Sequence, residues 1–449
     1  LTECLPAVVA WSPLYELAKF CIGKREEKNR NNDEQRCAYP RQQRVSDGTV
    51  MRALENIVVL DLTHMVAGPY ATQLLADMGA VTIKVEPPET GEATRRLLAD
   101  SPDYSLYGMG AYFLALNRNK RSIGIDLKSR DGLALMYRLV RHADVVIDNF
   151  SAGVTSRLKI DHKRLSEVNP RIVTCSITGF GGTGDAPNLP AFDMVAQGMG
   201  GGMSITGEPA GRPIRPGIPY ADLTSGMFAS LGILAAVNAR GLTGKGQHVD
   251  ISMLDGQVSL LSYMATMHLL SGKIPGREGN GHVVHVPYDS FRTQSRDLII
   301  AVITDNFWLA LIDVLDDPAL RDPQFHRQPA RLKNRDIINE RVKAVLMTET
   351  CEYWLDKLAQ ARIPSAPVND FAHALNDPLV LARNMVVEVA HPGGRIFKAP
   401  GNPIKLSDTH EDSFSPPPLP GADAEWTLHN LLSMSGAEIA DLRNRKIIG

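Results

Sequence analysis

No two cysteines in this 449-residue chain form a CxxC pair, and there are only five cysteines in all. That scarcity argues against a zinc ribbon or a disulfide framework. Three of them, Cys4, Cys21 and Cys37, fall in the first 50 residues. A reducing, cytoplasmic compartment is the expectation. The twelve histidines contain no HxxxH or HExxH pair, so no metal site is expected. The turn after the first apolar run, "HMVAGP" (64–69), holds one glycine, so the dinucleotide fingerprint GxGxxG is absent. A P-loop and a GxSxG nucleophile elbow are absent too. Net charge is −2, so nothing points to a general binder of nucleic acid or membrane surfaces. The longest uncharged apolar stretch, Gly226–Val237, is short of the roughly 20 residues a bilayer span needs. A soluble enzyme with neither membrane nor nucleic-acid partner is expected.

What the chain does have is an alternation of short apolar strands and amphipathic helices from Met51 onward. Residues 56–62, 80–86, 122–127, 144–150 and 171–180 read as strands, and 68–79 and 131–143 as helices. Such alternation predicts an α/β fold built on a doubly wound, Rossmann-like parallel sheet. Residues 180–221 read as a long loop rich in Gly and Pro, a length that in a compact domain is usually functional. Residues 246–272 read as a strand running into one long helix. The texture then changes: a Gly- and His-rich loop (276–291), a strand (297–303) and helices to about 375 predict a smaller second domain. The first 50 residues, polar and without periodicity, read as a disordered or non-native extension.

Two carboxylates stand out. Asp222 lies where the stiff loop "PGIPY" meets the apolar run "SGMFASLGILAAV". It can be read as a helix N-cap. It can also be read as a nucleophile that a helix N-terminus keeps ionised, one able to attack an activated acyl group. Asp193, in "FDMVAQGMGGG", sits at a similar boundary and has the same capping reading. Arg118, Lys120 and Arg121 before the third strand, with Arg157 and Lys159, are either solvated or bind phosphate near the carboxyl ends of the strands.

Seven blocks in order carry a resemblance. They are "VLDLTHMVAGPYATQLLADMGAVTIKVEPP", "NRNKRSIGIDLKS", "ADVVIDNFSAGVTSRL", "NPRIVTCSITGFGGTG", "FDMVAQGMGGGMSITG", "PGIPYADLTSGMFASLGILAA" and "TGKGQHVDISMLDG". From about residue 52 to 449 the sequence resembles the class III CoA-transferases (the CaiB/BaiF group). The resemblance implies interlocked homodimers, each subunit an open ring threaded through the other. It implies a large Rossmann-like domain whose N-terminal part is 51–255, a linker helix at 256–279, a small α/β domain at 280–375, and a return of 376–449 to the large domain. The family's catalytic aspartate falls on Asp222. The CoA-contacting positions fall on Met65, Val66, Ile125, Asp126, Leu127, Lys128, Asn149, Phe150, Ser151 and Arg157. His64, Phe192, Asp193 and the glycine loop Gly279, Asn280 and Gly281 belong to the active-site surround, with Arg215 (or Arg212) placed to hold an acceptor carboxylate. The implied substrates are a CoA thioester, with succinyl-CoA as donor, and a small dicarboxylate; no bound cofactor or metal is implied. An oxalate-type transferase with a formyl-CoA donor is the alternative. A racemase of the same superfamily is a weaker one, because Phe192 stands where that enzyme has histidine. Pro87 replaces a basic residue of one relative, which leaves Arg95 or Arg96 to substitute.

Overall fold

The computed structural model describes residues 51–183, 189–409 and 414–449; the extension expected over 1–50 lies outside them. Runs rich in Val and Ile become the strands β1 (Val58–Asp61), β2 (Val81–Glu86), β3 (Lys120–Gly124), β4 (Val145–Asp148), β5 (Val173–Thr178) and β6 (His248–Ser252). Their spatial order is β3-β2-β1-β4-β5-β6, and every pair is parallel. The order reverses between β1 and β4. Open sheets of this kind bind ligands outside the carboxyl ends of the strands at that point. β3 starts two residues earlier than the periodicity suggests. Lys120 and Ser122 are buried polar residues that face buried carboxylates, and a pattern count reads such residues as loop.

The helices associated with this part of the chain are α1 (Ala67–Asp77), α2 (Arg130–Val140), α3 (Asp193–Met199), α4 (Tyr220–Thr243), α5 (Met253–Leu260) and α6 (Ser262–Ser271). α1 and α4 cover the face that carries Val59, Val145, Ile147, Val173 and Cys175. The opposite face carries Leu60, Ile83, Ile123 and Val146 against Leu135 and Leu139 of α2. Leu428, Leu431 and Ile439, from the chain's last two helices (424–432 and 436–444), complete that layer. A separate core holds Trp308, Ile338, Val342 and Trp354. It packs beside an antiparallel sheet of β7 (Tyr288–Phe291), β8 (Leu298–Ala301) and β9 (Ser365–Pro367), ordered β9-β8-β7.

Two expectations need correction. The segment 180–221 is not all loop: it contains α3 and a 3₁₀ turn at Gly202–Ile205. The helix after β6 is two helices, α5 and α6, broken where Ser262 takes a left-handed backbone at φ 48°. Among the described residues α4 alone is long and apolar enough to cross a bilayer. One side of it packs into the core. Ala221, Ser225, Gly226, Ala229, Ile233 and Ala236 are buried, and Arg240 pairs with Asp144 at 2.9 Å.

Candidate active site

The turn between β1 and α1 is fixed from beneath by buried charge. Asp61 Oδ2 accepts from Thr72 Oγ1 at 2.7 Å and Lys120 Nζ at 3.1 Å, while Asp61 Oδ1 accepts from the Thr63 amide at 2.9 Å. Lys84 Nζ lies 3.9 Å from the same carboxylate and donates to Thr63 O at 2.8 Å. Burial alone would raise the Asp61 pKa, but Lys120, Lys84 and the two threonines outweigh it and hold it at about 2. Burial pulls Lys120 down to about 8 against the pull of Asp61. These lysines are counter-ions of a buried carboxylate. Lys120 and its neighbours are therefore not an anion site. Arg118 pairs with Asp77 at 2.6 Å and is buried, and Arg121 lies over the Trp426 ring and pairs with Asp423. Arg95 is also committed, to Glu86 at 2.7 Å and to Pro418 O at 2.8 Å, with its guanidinium over Phe113. Arg96 remains at the surface and donates to Thr90 O.

Above this base the turn carries His64, Met65 and Val66. Asn149, at the end of β4, clamps it from both sides: Oδ1 accepts from His64 N at 2.8 Å and Nδ2 donates to His64 O at 2.7 Å. The clamp spans the point where strand order reverses. Met65 sits at φ 63°, a conformation costly for a side chain with a Cβ. Glu92 Oε1 holds it by accepting the Met65 amide at 2.8 Å. Nothing in the sequence marks Glu92 for this role. The His64 ring lies 5.7 Å from Phe150, and burial lowers its pKa, which favours neutral imidazole.

Asp222 lies inside the first turn of α4, not at its cap. The N-cap is Pro219, which has no side chain to donate or accept, so the capping reading of Asp222 is overturned. The cap comes from another helix. Asp193 Oδ1, in the first turn of α3, accepts from Ala221 N at 2.8 Å and Asp222 N at 3.3 Å. Its other oxygen accepts from Gln197 Nε2 at 2.7 Å. Asp193 thus caps α4 in place of its own helix. The expectation that the helix dipole keeps Asp222 readily ionised is also corrected. Burial first, and the neighbouring Asp193 charge second, push Asp222 up from 3.8 to about 7.

Close helix packing sets the height of Asp222. A Cβ on Gly226 would lie 2.6 Å from Ala67 O, and Ser230 Oγ donates to Ala71 O at 3.1 Å. The four-residue step along α4 matches the step along α1, so the helices run in the same sense. Asp222, one turn before Gly226, comes level with the turn that precedes α1. We expect Gly226→Val to push α4 off α1, because the clash is with backbone, and to destabilise the chain by about 1–3 kcal/mol. A lowered denaturation midpoint together with lost activity is the expected readout. An unchanged midpoint refutes this packing account.

The other expected site residues are more dispersed. Ile125–Lys128 follow β3, where Ile125 bridges to Ile448 and Asp126 N donates to Ile447 O at 2.9 Å; Lys128 is exposed. Ser151 and Arg157 are exposed on and before the short helix 154–157. Phe150 and Ser151 line a cavity of about 590 Å³ with Asp148, Ser176, His248 and Asp250. By strand alternation these residues lie on the sheet face opposite α4, so this cavity does not contain Asp222. Burial lifts Asp148 there to about 6. Gly279 N donates to Gly207 O at 3.1 Å and Gly281 N to Glu278 O at 2.9 Å. That ties the glycine loop to the segment 204–211, which Arg277 also grips through Gly211 O at 2.7 Å. Arg215 is exposed and donates to Pro216 O at 3.0 Å. Phe192 is 69% exposed. Within the described residues, then, His64, Met65, Val66, Asn149 and Phe150 form one group, and Phe192, Asp193 and Asp222 form a second.

With this geometry in hand, comparison with known proteins is specific. The model of CoA-transferase family III matches residues 54–424. The acetyl-CoA:oxalate CoA-transferase of Acetobacter aceti is 39% identical over 367 residues, 81% of this chain and 92% of that protein. The succinyl-CoA:mesaconate CoA-transferase of Haloarcula hispanica is 37% identical over 396 residues, 87% of this chain and 96% of that protein. The succinyl-CoA:glutarate CoA-transferase of Homo sapiens is 32% identical over 408 residues, 90% of this chain and 91% of that protein. Among solved structures, a CAIB/BAIF family protein from Brucella suis superposes with a TM-score of 0.76 at 34% identity, covering 85% of this chain and 100% of its own.

Proposed function

The chain belongs to CoA-transferase family III, and on that premise we propose that it moves CoA from succinyl-CoA, or a donor like it, to a small carboxylate or dicarboxylate through Asp222. The observation that carries this reading is the placement of Asp222. It is a half-buried carboxylate, raised to about 7, level with the strained turn at the sheet's switch point. A raised pKa makes a stronger carboxylate nucleophile, provided the group is ionised. Asp222 attacks the thioester carbonyl. The carbon–sulfur bond breaks, CoA leaves as thiolate, and an aspartyl anhydride remains. The thiolate then attacks the aspartyl carbonyl, which releases the donor's acid and leaves an aspartyl-CoA thioester. The acceptor carboxylate attacks that thioester and expels the thiolate as it forms a second anhydride. The returning thiolate takes the acceptor's acyl group and frees Asp222. Each step exchanges one acyl bond for another, so charge and atoms balance without a further reactant.

The surrounding groups fit this chemistry. We assign the donor's CoA to the His64–Val66 turn, Asn149–Ser151, Ile125–Lys128 and Arg157, with Arg215 or Arg212 for the acceptor's far carboxylate. The Gly279 and Gly281 amides can stabilise an oxyanion only after their bonds to Gly207 and Glu278 break. We also assign a homodimer, interlocked as in the family's open-ring arrangement. Its support is the apolar surface of α6, which has no buried residue and exposes Leu269 and Leu270 at 81% and 84%. An oxalate-type acceptor is the second reading, favoured by the Acetobacter relative named for oxalate. Phe192 offers no proton, which disfavours a racemase.

The test is a panel of acyl-CoA donors (succinyl, acetyl, formyl) against glutarate, mesaconate and oxalate. Transfer is expected, with hydroxylamine converting Asp222 to its hydroxamate during turnover. An unmodified Asp222 peptide during active turnover rules out the covalent route. The reactive form is the ionised one. We therefore expect kcat/KM for the donor to rise about tenfold per pH unit below about 7 and to level off above it. A flat profile from pH 5.5 to 8.5 contradicts the assignment of Asp222.

A further inference from the structure

Resting on the assignment of Asp222 as nucleophile, we infer that Gln197 is a positioning residue: its side-chain amide fixes the Asp193 carboxylate that caps α4 and aims Asp222. Gln197 is one helical turn after Asp193 on α3, so the two share a face. Its Nε2 donates to Asp193 Oδ2 at 2.7 Å. Asp193 Oδ1 is thereby turned to the amides of Ala221 and Asp222 at 2.8 and 3.3 Å. Gln197 is 2% exposed, and its Oε1 is buried with no hydrogen-bond partner among the described residues. Only the orientation that gives Nε2 to the carboxylate explains that arrangement, because the flipped amide would set two oxygens against each other. The end of α3 is seated closely on α5, where a Cβ on Gly200 would lie 2.3 Å from Gln257 Cβ. The clamp therefore cannot slide.

The charged surroundings are simple. Of the elements packed on α3, α4 presents Asp222. α5 presents the neutral Gln257, with Asp255 on its exposed side, and the turn 202–205 carries no ionisable residue. Gln197 is thus the polar donor that steadies Asp193 from within its own helix, while the α4 amides steady it from the other side.

The experiment uses the full chain and two near-isosteric variants. Gln197→Met removes the donor at every pH. We expect its kcat to fall about 10- to 100-fold, as when a charge-assisted hydrogen bond is lost at a reacting group, with KM for the CoA donor nearly unchanged. Gln197→Glu can still donate to Asp193 when protonated and repels it when ionised. It should approach wild-type kcat at pH 5.5 to 6 and then lose activity as pH rises, a descending limb absent from wild type. In the Asp222→Asn background, which removes the titration of Asp222 itself, the backbone amide resonances of positions 221 and 222 should titrate with the same midpoint once Gln197→Glu is added, and stay fixed between pH 5.5 and 8.5 without it. If Gln197 only fills space, both variants keep wild-type kcat at all pH values, or Gln197→Glu falls equally at all of them; either result overturns the proposal. Absence of transfer by the wild-type chain with every donor and acceptor would defeat the functional reading instead. The amide titration then decides the clamp by itself: a shift with pH that Gln197→Glu adds in the Asp222→Asn background upholds it, and no added shift refutes it.

Discussion

Asp222→Asn is expected to abolish CoA transfer and, at the same time, to make the folded chain more stable at pH 8. Loss of a covalent nucleophile lowers kcat by about 10⁴-fold or more. The stability gain follows from where Asp222 sits. Its folded-state pKa is raised from 3.8 to about 7, by burial first and by Asp193 second. Between those two pH values the folded chain holds a proton that the unfolded chain has released. Stability therefore falls as pH rises through that window, and the whole penalty is present above about 7. The penalty is on the order of 2–4 kcal/mol. The neutral amide of asparagine does not bear it. Denaturation midpoints of the two chains should nearly coincide at pH 4 and separate at pH 8, with the variant the more stable. Equal midpoints at pH 8 would mean that Asp222 is solvated and ionised at no cost, and the raised nucleophile would have to be abandoned. A chain that keeps transferring CoA without this carboxylate would remove the mechanism altogether.

That coupling explains why part of this site was legible in the sequence and part was not. The strand runs "VVL" and "VVI" are apolar on both sides because the sheet is covered on both faces there, so the parallel architecture could be read directly. Asp222 stood out for a similar reason: one carboxylate interrupts a sequence of small and aliphatic residues. Its role inside the helix could not be read, because the cap is supplied by Asp193 from 29 residues earlier. Local capping rules look only at neighbours in the chain. The same limit hid the partners of Arg118, Lys120 and Arg95, whose carboxylates lie in other elements. A run of cations in a sequence reads as solvated surface or an anion site until the buried acids across the sheet are known. Glu92 and Gln197 carried no signal at all. One holds a strained backbone and the other steadies a cap, and neither role depends on a motif.

The buried charges beneath the β1–α1 turn give the second large effect. Asp61→Asn should destabilise the chain by about 3–5 kcal/mol near neutral pH, the usual consequence of removing one partner of a buried ion pair. Asparagine can still accept the Thr63 amide through one oxygen. Its Nδ2 then faces the Lys120 and Lys84 ammonium groups, which can only donate. The cost should depend on pH in a direction that identifies its source. Burial already holds Lys120 at about 8 against the attraction of Asp61, and without that attraction its pKa drops further. A lysine whose folded-state pKa is depressed favours folding as pH rises, because the folded chain prefers it neutral. The variant's deficit should therefore shrink towards pH 9 and widen towards pH 6. In the wild-type chain Asp61, held at about 2, contributes its stability above about 4 and loses it only as pH falls from there towards 2. Adding Lys120→Met to Asp61→Asn should recover part of the loss, since it removes one of the cations left without a counter-ion. The turn that carries His64, Met65 and Val66 should loosen as well, raising KM for the CoA donor while the Asp222 chemistry stays intact. A deficit that is the same at pH 6 and pH 9, with no recovery in the double variant, would show that Asp61 acts by shape and not by charge.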